Sequence, residues 1–267
     1  MSKTRLDVAL VERGLCESRQ KAQAAIMAGL VTVNAQKVTK AGAGVAEEDA
    51  IEVKGPAIPY VSRGGLKLEK AIKLWEIDLS GKICADIGAS TGGFSDCMLQ
   101  FGAEKVYAVD TGYGKLDWKV RTNPRVVALE RTNARYLTRE QVPDPLDFAS
   151  IDVSFISLRL ILPALRGVIR DGGEVVCLIK PQFEAGRENV GKKGVVRDPA
   201  IHLQVLEHFL EYAADNKFHV KSLTFSPIKG PEGNIEYLGY LTTSEIPSQD
   251  FSLKELVAQS HTSLEGV

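Results

Sequence analysis

The sequence predicts an α/β protein in two parts: a small α+β module at the N-terminus, and a larger unit whose mostly parallel sheet ends in an antiparallel hairpin. Two patterns favour this fold. From about residue 83, short apolar runs alternate with amphipathic segments, as parallel strands alternate with their connecting helices. The last two runs, 220–226 and 236–242, are joined by a Gly/Pro loop that holds no helix, which indicates a hairpin.

The N-terminal module is predicted to cover residues 1–59. Leu6 and Leu10 recur at helical spacing before Gly14, and Ser18 is the expected N-cap of a second helix that ends at Gly29. Short strands are expected in the segments 31–33, around 38 and 51–53. A helix–turn–helix with a small sheet is too small to be an enzyme alone.

The larger unit is expected to span residues 67–245, after a linker at 60–66, and to be followed by a tail at 246–267 with one short helix. Its parallel strands are predicted at 83–87, 105–110, 125–129, 147–153 and 174–179, with covering helices at about 157–169 and 199–216. No Gly-Lys-Ser or Gly-Lys-Thr string occurs, which excludes a P-loop nucleotide triphosphatase.

Composition excludes several protein classes. Of the 267 residues, 44% are hydrophobic and 25% charged, which is ordinary for a globular protein and too apolar for a disordered one. No run approaches the roughly 18 apolar residues that span a bilayer, and the start has no secretory signal pattern, so we expect a cytoplasmic protein without a membrane partner. The four cysteines show no Cys-x-x-Cys spacing and are expected to be reduced and buried.

The net charge of −1 hides an uneven distribution. Residues 1–40 hold seven basic and three acidic side chains, a net charge of +4 on a chain that is otherwise mildly acidic. Such asymmetry indicates binding to a polyanion. The four histidines have no ligand-like spacing with cysteines or carboxylates, so no metal site is expected.

A glycine-containing loop follows the first predicted strand of the larger unit. A dinucleotide fingerprint that began at Gly88 would need glycine at position 90, where the chain has Ser90. The pattern Asp-x-Gly-x-x-x-Gly-Gly-Phe instead suits S-adenosyl-L-methionine, and Asp110, at the end of the second strand, can accept hydrogen bonds from both hydroxyls of its ribose. The terminal hairpin likewise favours a class I methyltransferase, a Rossmann-like fold, over a dinucleotide dehydrogenase. The loop residues expected to contact the cofactor are Asp86, Gly88, Ala89, Ser90, Thr91, Gly92, Gly93 and Phe94.

Four charged residues lie at predicted strand or helix edges: Lys67, Asp152, Lys180 and Glu236. Asp152 and Lys180 end apolar strands at the carboxyl edge, where open α/β sheets bind their ligands. Each alone could be a surface ion pair; together they are candidate catalytic residues. The segment Asp152-Val153-Ser154-Phe155 lacks the two prolines of base-N6 methyltransferases, and no cysteine stands where cytosine-C5 enzymes need one, yet base methylation remains an alternative.

Longer motifs carry two resemblances. The N-terminal pattern Arg5-Leu6-Asp7, Gly14, Ser18-Arg19, Ala22, Gly29-Leu30-Val31 and Val33-Asn34 resembles the S4 RNA-binding domain. The order Lys, Asp, Lys, Glu resembles the tetrad of the FtsJ-type RNA ribose 2′-O-methyltransferases. Together with the S4 pattern, the strings YVSRGGLKLEKA, DIGASTGGF, IDVSFISL, IKPQFE and GNIEYLGY look like the TlyA/hemolysin A family over about residues 3–245.

The resemblance implies an enzyme that methylates cytidine 2′-hydroxyls in ribosomal RNA of both subunits. Its cofactor would be S-adenosyl-L-methionine and its partner ribosomal RNA or ribosomal subunits, with no protein partner evident. It assigns catalysis to Lys67, Asp152, Lys180 and Glu236 and the adenine site to Asn133 and Phe155. The residues that it implies for RNA binding are Arg5, Arg19 and Lys21 of the S4 helices, and Arg63, where the family has its interdomain linker. Such phosphate contacts position RNA and make its binding depend on salt.

The residue types suit this chemistry. A ribose hydroxyl must lose its proton as it attacks the sulfonium methyl, and Lys180 is expected to lie nearest that hydroxyl, as a base or as an orienting group. Lys67 would disfavour the charged form of Lys180, while Asp152 and Glu236 hold the two lysines in place.

Other residues and functions stay open at this point. Trp75 and Trp118 are expected to be packing residues, and Lys192-Lys193, between Gly191 and Gly194, are a candidate RNA contact. An RNA-binding protein with a silent catalytic domain is one alternative function. A membrane-lytic protein, as the family's hemolysin label suggests, is disfavoured because the sequence has no signal, spanning segment or long amphipathic basic helix.

Overall fold

The computed structural model describes residues 3–16, 18–27, 29–53, 58–191, 193–230 and 232–264, and it divides the chain into two units, Met1–Arg63 and Gly64–Val267. The prediction for Lys192 lies outside the described residues.

The described residues of the first unit form two short helices and five short strands. In chain order these are β1 (Thr4–Arg5), α1 (Leu6–Glu12), α2 (Arg19–Met27), β2 (Val31–Val33), β3 (Gln36–Lys37), β4 (Gly44–Val45) and β5 (Ile51–Val53). Strand β2 pairs antiparallel with β3 and β5, and β1 pairs antiparallel with β4. Asn34 and Ala35 both have positive φ, which a two-residue hairpin loop requires. The core of this unit is formed by Leu6, Ala9, Leu10, Ala22, Ile26, Val31 and Val45.

The second unit is built on one seven-stranded sheet. Its elements are α3 (Gly65–Leu74), β6 (Ile83–Ile87), α4 (Gly93–Gln100), β7 (Lys105–Val109), α5 (Trp118–Arg121), β8 (Val126–Leu129), β9 (Leu146–Ile151), α6 (Leu162–Val168), β10 (Ile169–Ile179), α7 (Pro181–Glu184), α8 (Pro199–Asp215), β11 (His219–Phe225), β12 (Tyr237–Thr242) and α9 (Leu253–Leu264). Short 3-10 helices lie at Ala134–Tyr136, Leu158–Leu160 and Arg187–Asn189.

The sheet has the strand order β11-β12-β10-β9-β6-β7-β8. Neighbours from β10 to β8 are parallel, and β12 runs antiparallel to both β10 and β11. The predicted α/β fold with a terminal antiparallel hairpin is thereby confirmed. The chain crosses from β7 and β8 on one side of β6 to β9 on the other, so the strand order reverses beside β6, where open sheets form their ligand crevice.

Strands β6, β7 and β9 and the last five residues of β10 are almost entirely buried, as is typical of the inner strands of a parallel sheet. The predicted helix at 157–169 is instead a 3-10 turn followed by α6, and β10 begins earlier than predicted, at Ile169. Gly172-Gly173 lies within this longer strand, at a register shift between Ile169 and Glu174 that apolar patterning does not reveal. Cys84, Cys97 and Cys177 are buried as expected, whereas Cys16 is partly exposed, and none of the four forms a disulfide.

Candidate active site

A cavity of about 320 Å³ opens beyond the carboxyl ends of β6, β7 and β9, beside the reversal of strand order. Open α/β sheets bind their ligands at this position, and the volume is within the range of small-molecule sites. The cavity is lined by Gly88, Ser90, Val109, Asp110, Thr111, Lys115, Thr132, Asn133, Ala134, Asp152, Val153, Ser154, Phe155, Ile156 and Ile161.

The loop after β6 forms one wall of this cavity. Gly88 has φ +88, and a β-carbon there would lie 2.4 Å from the backbone oxygen of Asp152, so only glycine fits between the two strand ends. Ser90 also has positive φ, and its backbone N–H donates to Asp110 Oδ2 at 2.8 Å. This bond draws the loop after β6 towards the end of β7.

Asp110 lines the cavity at the end of β7. Its Oδ1 accepts a hydrogen bond from the backbone of Gly112 at 2.6 Å, and its Oδ2 accepts the bond from Ser90. The side chain is therefore fixed from both sides. Each carboxylate oxygen keeps a second lone pair, so Asp110 can accept further hydrogen bonds from a ligand in the cavity.

Five of the predicted cofactor residues line the cavity: Gly88, Ser90, Asp110, Asn133 and Phe155. Six others are not among the residues that line it: Asp86, Ala89, Thr91, Gly92, Gly93 and Phe94. Ala89, Phe94 and both glycines are buried, and Gly92 precedes the first turn of α4 in a left-handed conformation. These residues shape the loop from behind.

Asp86 is buried beneath the loop. Its Oδ2 accepts hydrogen bonds from the backbone and the hydroxyl of Ser95, at 2.8 and 2.7 Å. Burial away from water raises the pKa of Asp86 to about 7, and the neighbouring carboxylate of Asp152 adds to this rise. In the structure Asp86 ties the start of α4 to β6.

The four predicted catalytic residues form one chain of alternating amines and carboxylates. Lys180 Nζ lies 2.5 Å from Asp152 Oδ1. Lys67 Nζ lies 2.6 Å from Glu236 Oε2 and 4.0 Å from Asp152 Oδ2. Both lysine side chains are 8% exposed, and Glu236 is 1% exposed. Because each amine is paired with a carboxylate, the cost of burying the four charges is offset within the chain.

The topology explains why these residues meet. Asp152 follows β9 and Lys180 follows its parallel neighbour β10. Strand β12 is antiparallel to β10 and pairs Tyr237 with Ile179, which places Glu236 opposite Lys180 at the same edge. Lys67 lies in the first turn of α3 and completes the chain through its bond to Glu236.

Two residues near this ion-pair chain were not identified from the sequence. Lys180 Nζ donates to Ser154 Oγ at 3.2 Å. Glu184 accepts hydrogen bonds from Ser157 Oγ at 2.6 Å and from the backbone of Leu158 at 2.8 Å, and burial raises its pKa. Ser154 lies in the string IDVSFISL and Glu184 in IKPQFE, but neither is a charged residue directly at a strand end, the pattern that reveals Asp152 and Lys180.

Phe155 stands out at the edge of the cavity. It is 91% exposed and has φ +64, a conformation that a bulky residue rarely adopts. Its ring centroid lies 5.1 Å from that of Phe183. The structure thus presents an aromatic ring to solvent beside Ser154 and Lys180, at a cost in backbone strain that is typical of functional sites.

In the first unit, two predicted RNA-binding arginines converge on one buried carboxylate. Arg5 donates to both oxygens of Asp7 at 3.0 Å, and Arg19 Nε donates to Oδ2 at 2.9 Å. Gln23 adds a third partner at 2.7 Å. Both arginine side chains remain more than half exposed, while Asp7 is fully buried. Lys21 is exposed on the same helix as Arg19, and Arg63 is the partly buried last residue of the unit.

The two tryptophans differ in their exposure to solvent. Trp75 packs as predicted, with its ring stacked on Tyr240 at 5.2 Å between centroids. The prediction that Trp118 is a packing residue is wrong, since it is 75% exposed. Lys193 is exposed. Within the described ranges there is no group of three or more metal-ligating side chains, and none of the helices there could cross a membrane.

Comparison with known families and proteins agrees with this geometry. Residues 60–242 match the FtsJ-like methyltransferase family, and residues 4–51 match the S4 domain. The chain is 50% identical to "Putative rRNA methyltransferase YqxC" of Bacillus subtilis, over 98% of this chain and 95% of that protein. It is 42% identical to "16S/23S rRNA (cytidine-2'-O)-methyltransferase TlyA" of Mycobacterium tuberculosis, over 90% of each chain.

A solved structure is similar over almost the whole chain. It is described as "Putative hemolysin from Streptococcus thermophilus", with a TM-score of 0.80 and 48% identity over 99% of this chain and 98% of that one. The name hemolysin thus occurs, beside the name methyltransferase, among proteins that are similar to this chain over most of its length.

Proposed function

Since the chain belongs to the FtsJ-like methyltransferase family, and with its S4 domain to the TlyA/hemolysin A group, we propose that it methylates the 2′-hydroxyl of a cytidine in ribosomal RNA. The observation that carries this proposal is the ion-pair chain of Lys180, Asp152, Lys67 and Glu236, which meets the cavity at Asp152. Its place of action is then the cytoplasm, where ribosomes are.

The cavity fits S-adenosyl-L-methionine. When bound, this cofactor supplies a methyl group on a positively charged sulfur. Asp110 would accept hydrogen bonds from its ribose hydroxyls, because both carboxylate oxygens are held in place and keep free lone pairs. Apolar side chains of the cavity, among them Val153, Ile156 and Ile161, would cover the adenine together with Asn133 and Phe155. The positive charge would be accommodated near the carboxylate of Asp152.

Lys180 would hold the target hydroxyl. An ammonium group has three N–H donors, and in Lys180 two of them face Asp152 and Ser154. The third is available to the 2′-oxygen of a ribose, where it would orient the oxygen and stabilise the negative charge that develops on it. The contacts of Lys180 with Asp152 and Ser154 support this orienting role, because they fix the position of its Nζ atom.

The proton of the hydroxyl must leave as the new bond forms. Of the two carboxylates in the ion-pair chain, Asp152 is the more exposed to solvent. It also lines the cavity, so it can accept this proton. Lys67 and Glu236 hold Asp152 in position from the buried side. The ion-pair chain thus connects Asp152, which receives the proton, to the buried charges of Lys67 and Glu236.

We assign RNA binding to residues 1–59 and catalysis to residues 67–245. In the first part, Arg5 and Arg19 keep exposed guanidinium N–H groups that can contact phosphates, as can Lys21 and Arg63. The segment 246–267 contains α9, which packs on α8 and β11.

The proposal is tested by incubating the full chain with labelled S-adenosyl-L-methionine and ribosomal subunits. We expect label in ribosomal RNA, at a cytidine that resists alkaline cleavage because its 2′-hydroxyl is blocked. Label on a base would favour the base-methyltransferase alternative. No binding of the cofactor by calorimetry would favour the silent RNA-binding protein.

Substitution of Lys180 tests its role. Lys180→Ala is expected to lower turnover by at least about 100-fold, since a positioned proton-transfer or charge-stabilising group is worth that much. Cofactor affinity measured by calorimetry should be unchanged. Lys180→Arg is the matched variant, because arginine donates hydrogen bonds but cannot lose its proton. Partial activity of Lys180→Arg supports the orienting role, and its complete loss with normal cofactor binding supports the role of a base.

A further inference from the structure

A second surface of the larger unit has the properties of an RNA-binding face. The exposed aromatic side chains of this unit are Tyr113, Trp118, Tyr136 and Phe155, and all follow the carboxyl ends of β7, β8 or β9. Phe155 belongs to the cavity. The other three, each about two-thirds exposed or more, lie in the segments after β7 and β8. Together with Arg131 and Arg135 we call them the aromatic–arginine surface.

Arginines stack on two of these rings. The guanidinium carbon of Arg131 lies 4.5 Å from the ring centroid of Tyr113, and that of Arg135 lies 5.5 Å from the centroid of Tyr136. The two segments are joined directly, since the backbone N–H of Arg131 donates to the carbonyl of Gly112 at 3.0 Å. Arg131 has φ +53, so its exposed position is held at some cost to the backbone.

The charge of this region matches a polyanion. Residues 111–136 contain six basic and two acidic side chains, a net charge of +4 that equals that of residues 1–40. Both acids are used locally. Glu130 binds Arg121 and the backbone of Gly114, and Asp117 accepts the backbone N–H of Lys119 at the start of α5. Outside the region, Asp96 pairs with Lys119 and Asp110 lies 3.9 Å from Lys115, so four carboxylates face six basic side chains and an excess of positive charge remains.

The surface adjoins the cofactor cavity. Thr111, Lys115 and Asn133, which come from the same two segments, line that cavity. A nucleic acid on the aromatic–arginine surface would thus lie beside the site of methyl transfer. Unpaired bases stack on rings and guanidinium planes that face solvent, and the arginines that lie over two of these rings also carry N–H donors for the phosphates between bases.

We propose that the aromatic–arginine surface binds unpaired nucleotides next to the target residue, with bases stacked on Trp118, Tyr113 and Tyr136 and phosphates held by Arg131 and Arg135. This inference rests on the proposed function, because it takes the substrate to be RNA. It assigns to the catalytic unit a contact that is separate from the basic S4 helices.

Fluorescence tests the contact without any methyl transfer. The chain has two tryptophans, of which Trp118 is 75% exposed, whereas Trp75 is stacked on Tyr240. Single-stranded fragments of ribosomal RNA should quench the emission of the full chain, and the Trp118→Phe variant should lose this quenching. Quenching by ribosomal proteins but not by RNA would overturn the proposal in favour of a protein partner.

Steady-state kinetics test whether the aromatic–arginine surface contributes to the binding of RNA. Trp118→Ala should raise KM for RNA by about 5- to 100-fold, the value of one base stacked on an aromatic ring, with kcat and cofactor affinity within twofold. Trp118→Phe should recover most of the loss because it restores a stacking ring. Leu74→Ala, an exposed apolar residue on α3, is the matched control and should change nothing.

The outcomes separate this proposal from the proposed function. An unchanged KM in Trp118→Ala, or a Trp118→Phe variant as weak as Trp118→Ala, would overturn the surface while methylation by the wild-type chain persists. Absence of RNA methylation by the wild-type chain would overturn the proposed function, and the fluorescence titration would still report whether RNA binds at Trp118.

Discussion

Asp86 lies in β6 and Asp110 follows the neighbouring strand β7, yet their carboxylates meet different surroundings. Asp110 faces the cavity and is held by backbone N–H groups of two loops. Asp86 points beneath the loop to Ser95, where burial raises its pKa to about 7. One carboxylate is therefore available to a ligand, and the other is a structural group whose charge is costly.

The raised pKa of Asp86 makes stability depend on pH. Its ordinary pKa is 3.8, so between about 4 and 7 the unfolded chain releases the proton while the folded chain keeps it. The free energy of unfolding therefore falls as pH rises through this window. Asp86→Asn removes this dependence. Its Tm relative to that of the wild type should rise steadily from pH 4 to pH 7 and then level off, as measured by calorimetry.

Cofactor titration distinguishes the two aspartates further. Asp110→Asn should weaken binding of S-adenosyl-L-methionine by about 10- to 100-fold, the value of hydrogen bonds to a charged group. Asp86→Asn should bind it within threefold of the wild type. A constant difference in Tm over pH 4–7, or a large loss of affinity in Asp86→Asn, would contradict the structural role.

At this scale, the sequence reveals residue types at strand ends but not their surroundings. Asp152 and Lys180 could be identified because a charged residue that ends an apolar run is visible as a pattern. Their distances, and the hydroxyl of Ser154 beside them, depend on strand register, which no local pattern encodes. The exposure of Trp118 could not be predicted from the sequence either, because tryptophan occurs both in cores and on binding surfaces.

At the scale of elements, α7 connects the two strand ends of the ion-pair chain. Lys180 immediately precedes this helix, and Glu184 is its last residue. The carboxylate of Glu184 accepts from Ser157 and from the backbone of Leu158, at the start of the 3-10 helix after β9. The segment that carries Asp152 and Ser154 is thereby fastened to the segment that carries Lys180.

Loss of the hydrogen bonds of Glu184 should lower turnover more than it weakens the binding of RNA or cofactor. Glu184→Ala frees the segment after β9, and a displacement of about 1 Å at Lys180 and Ser154 can cost up to about 100-fold in rate. We expect kcat to fall by about 10- to 100-fold, with KM for RNA and cofactor affinity little changed. Glu184→Gln keeps one acceptor oxygen and should recover part of the rate.

A melting curve for each variant is the control for this prediction. A Glu184→Ala variant with a lower Tm but an unchanged kcat would show that the contact serves stability alone. Equal rates for Glu184→Ala and Glu184→Gln would show that hydrogen bonding at this position does not set the catalytic geometry.

Helix α9 shows what element-level prediction cannot supply. The sequence predicts a short helix in the tail but gives it no contacts. In the structure Ser260 Oγ lies 3.0 Å from Tyr237 Oη, and His261 Nε2 lies 3.3 Å from His202 Nδ1. Burial lowers the pKa of His202 to about 4, so the imidazole is neutral in this contact. The helix is thus docked on β12 and α8 through Tyr237 and His202.

At the scale of the whole molecule, the sheet order could be predicted in part. The alternating pattern indicates parallel strands, and the helix-free loop before β12 indicates a hairpin. Which hairpin strand pairs with β10 is settled by burial: all six residues of β12 are buried, while β11 is only partly buried throughout. Lys221 in β11 is a sequence signal of this edge position, since charged residues protect edge strands.

Both units carry a region of net positive charge that would hold a polyanion under the proposed function, and the net charge of −1 conceals these regions. In the first unit the buried carboxylate of Asp7 orients the side chains of Arg5 and Arg19. Asp7 takes up Nε of both arginines, and its pKa is held below its usual range chiefly by the hydrogen bond from Arg5. The remaining guanidinium N–H groups of Arg5 and Arg19 are directed elsewhere, and the two side chains are more than half exposed.

If Asp7 orients these arginines, its loss should weaken RNA binding although it adds a positive charge. Asp7→Asn keeps the size of the side chain but removes the charge that fixes both guanidinium groups. We expect about a tenfold loss of affinity for ribosomal RNA, comparable to one or two charge-assisted hydrogen bonds, with unchanged cofactor affinity.

The double variant Arg5→Ala/Arg19→Ala should bind ribosomal RNA more weakly than Asp7→Asn does. Its slope of log affinity against log salt should be shallower by about 1.4 to 1.8, as two phosphate contacts are lost. Binding is measured by filter retention at several salt concentrations, and circular dichroism confirms that the variants are folded at the assay temperature. Tighter binding by Asp7→Asn would mean that Asp7 only neutralises the arginines, because an added positive charge would then be the whole effect.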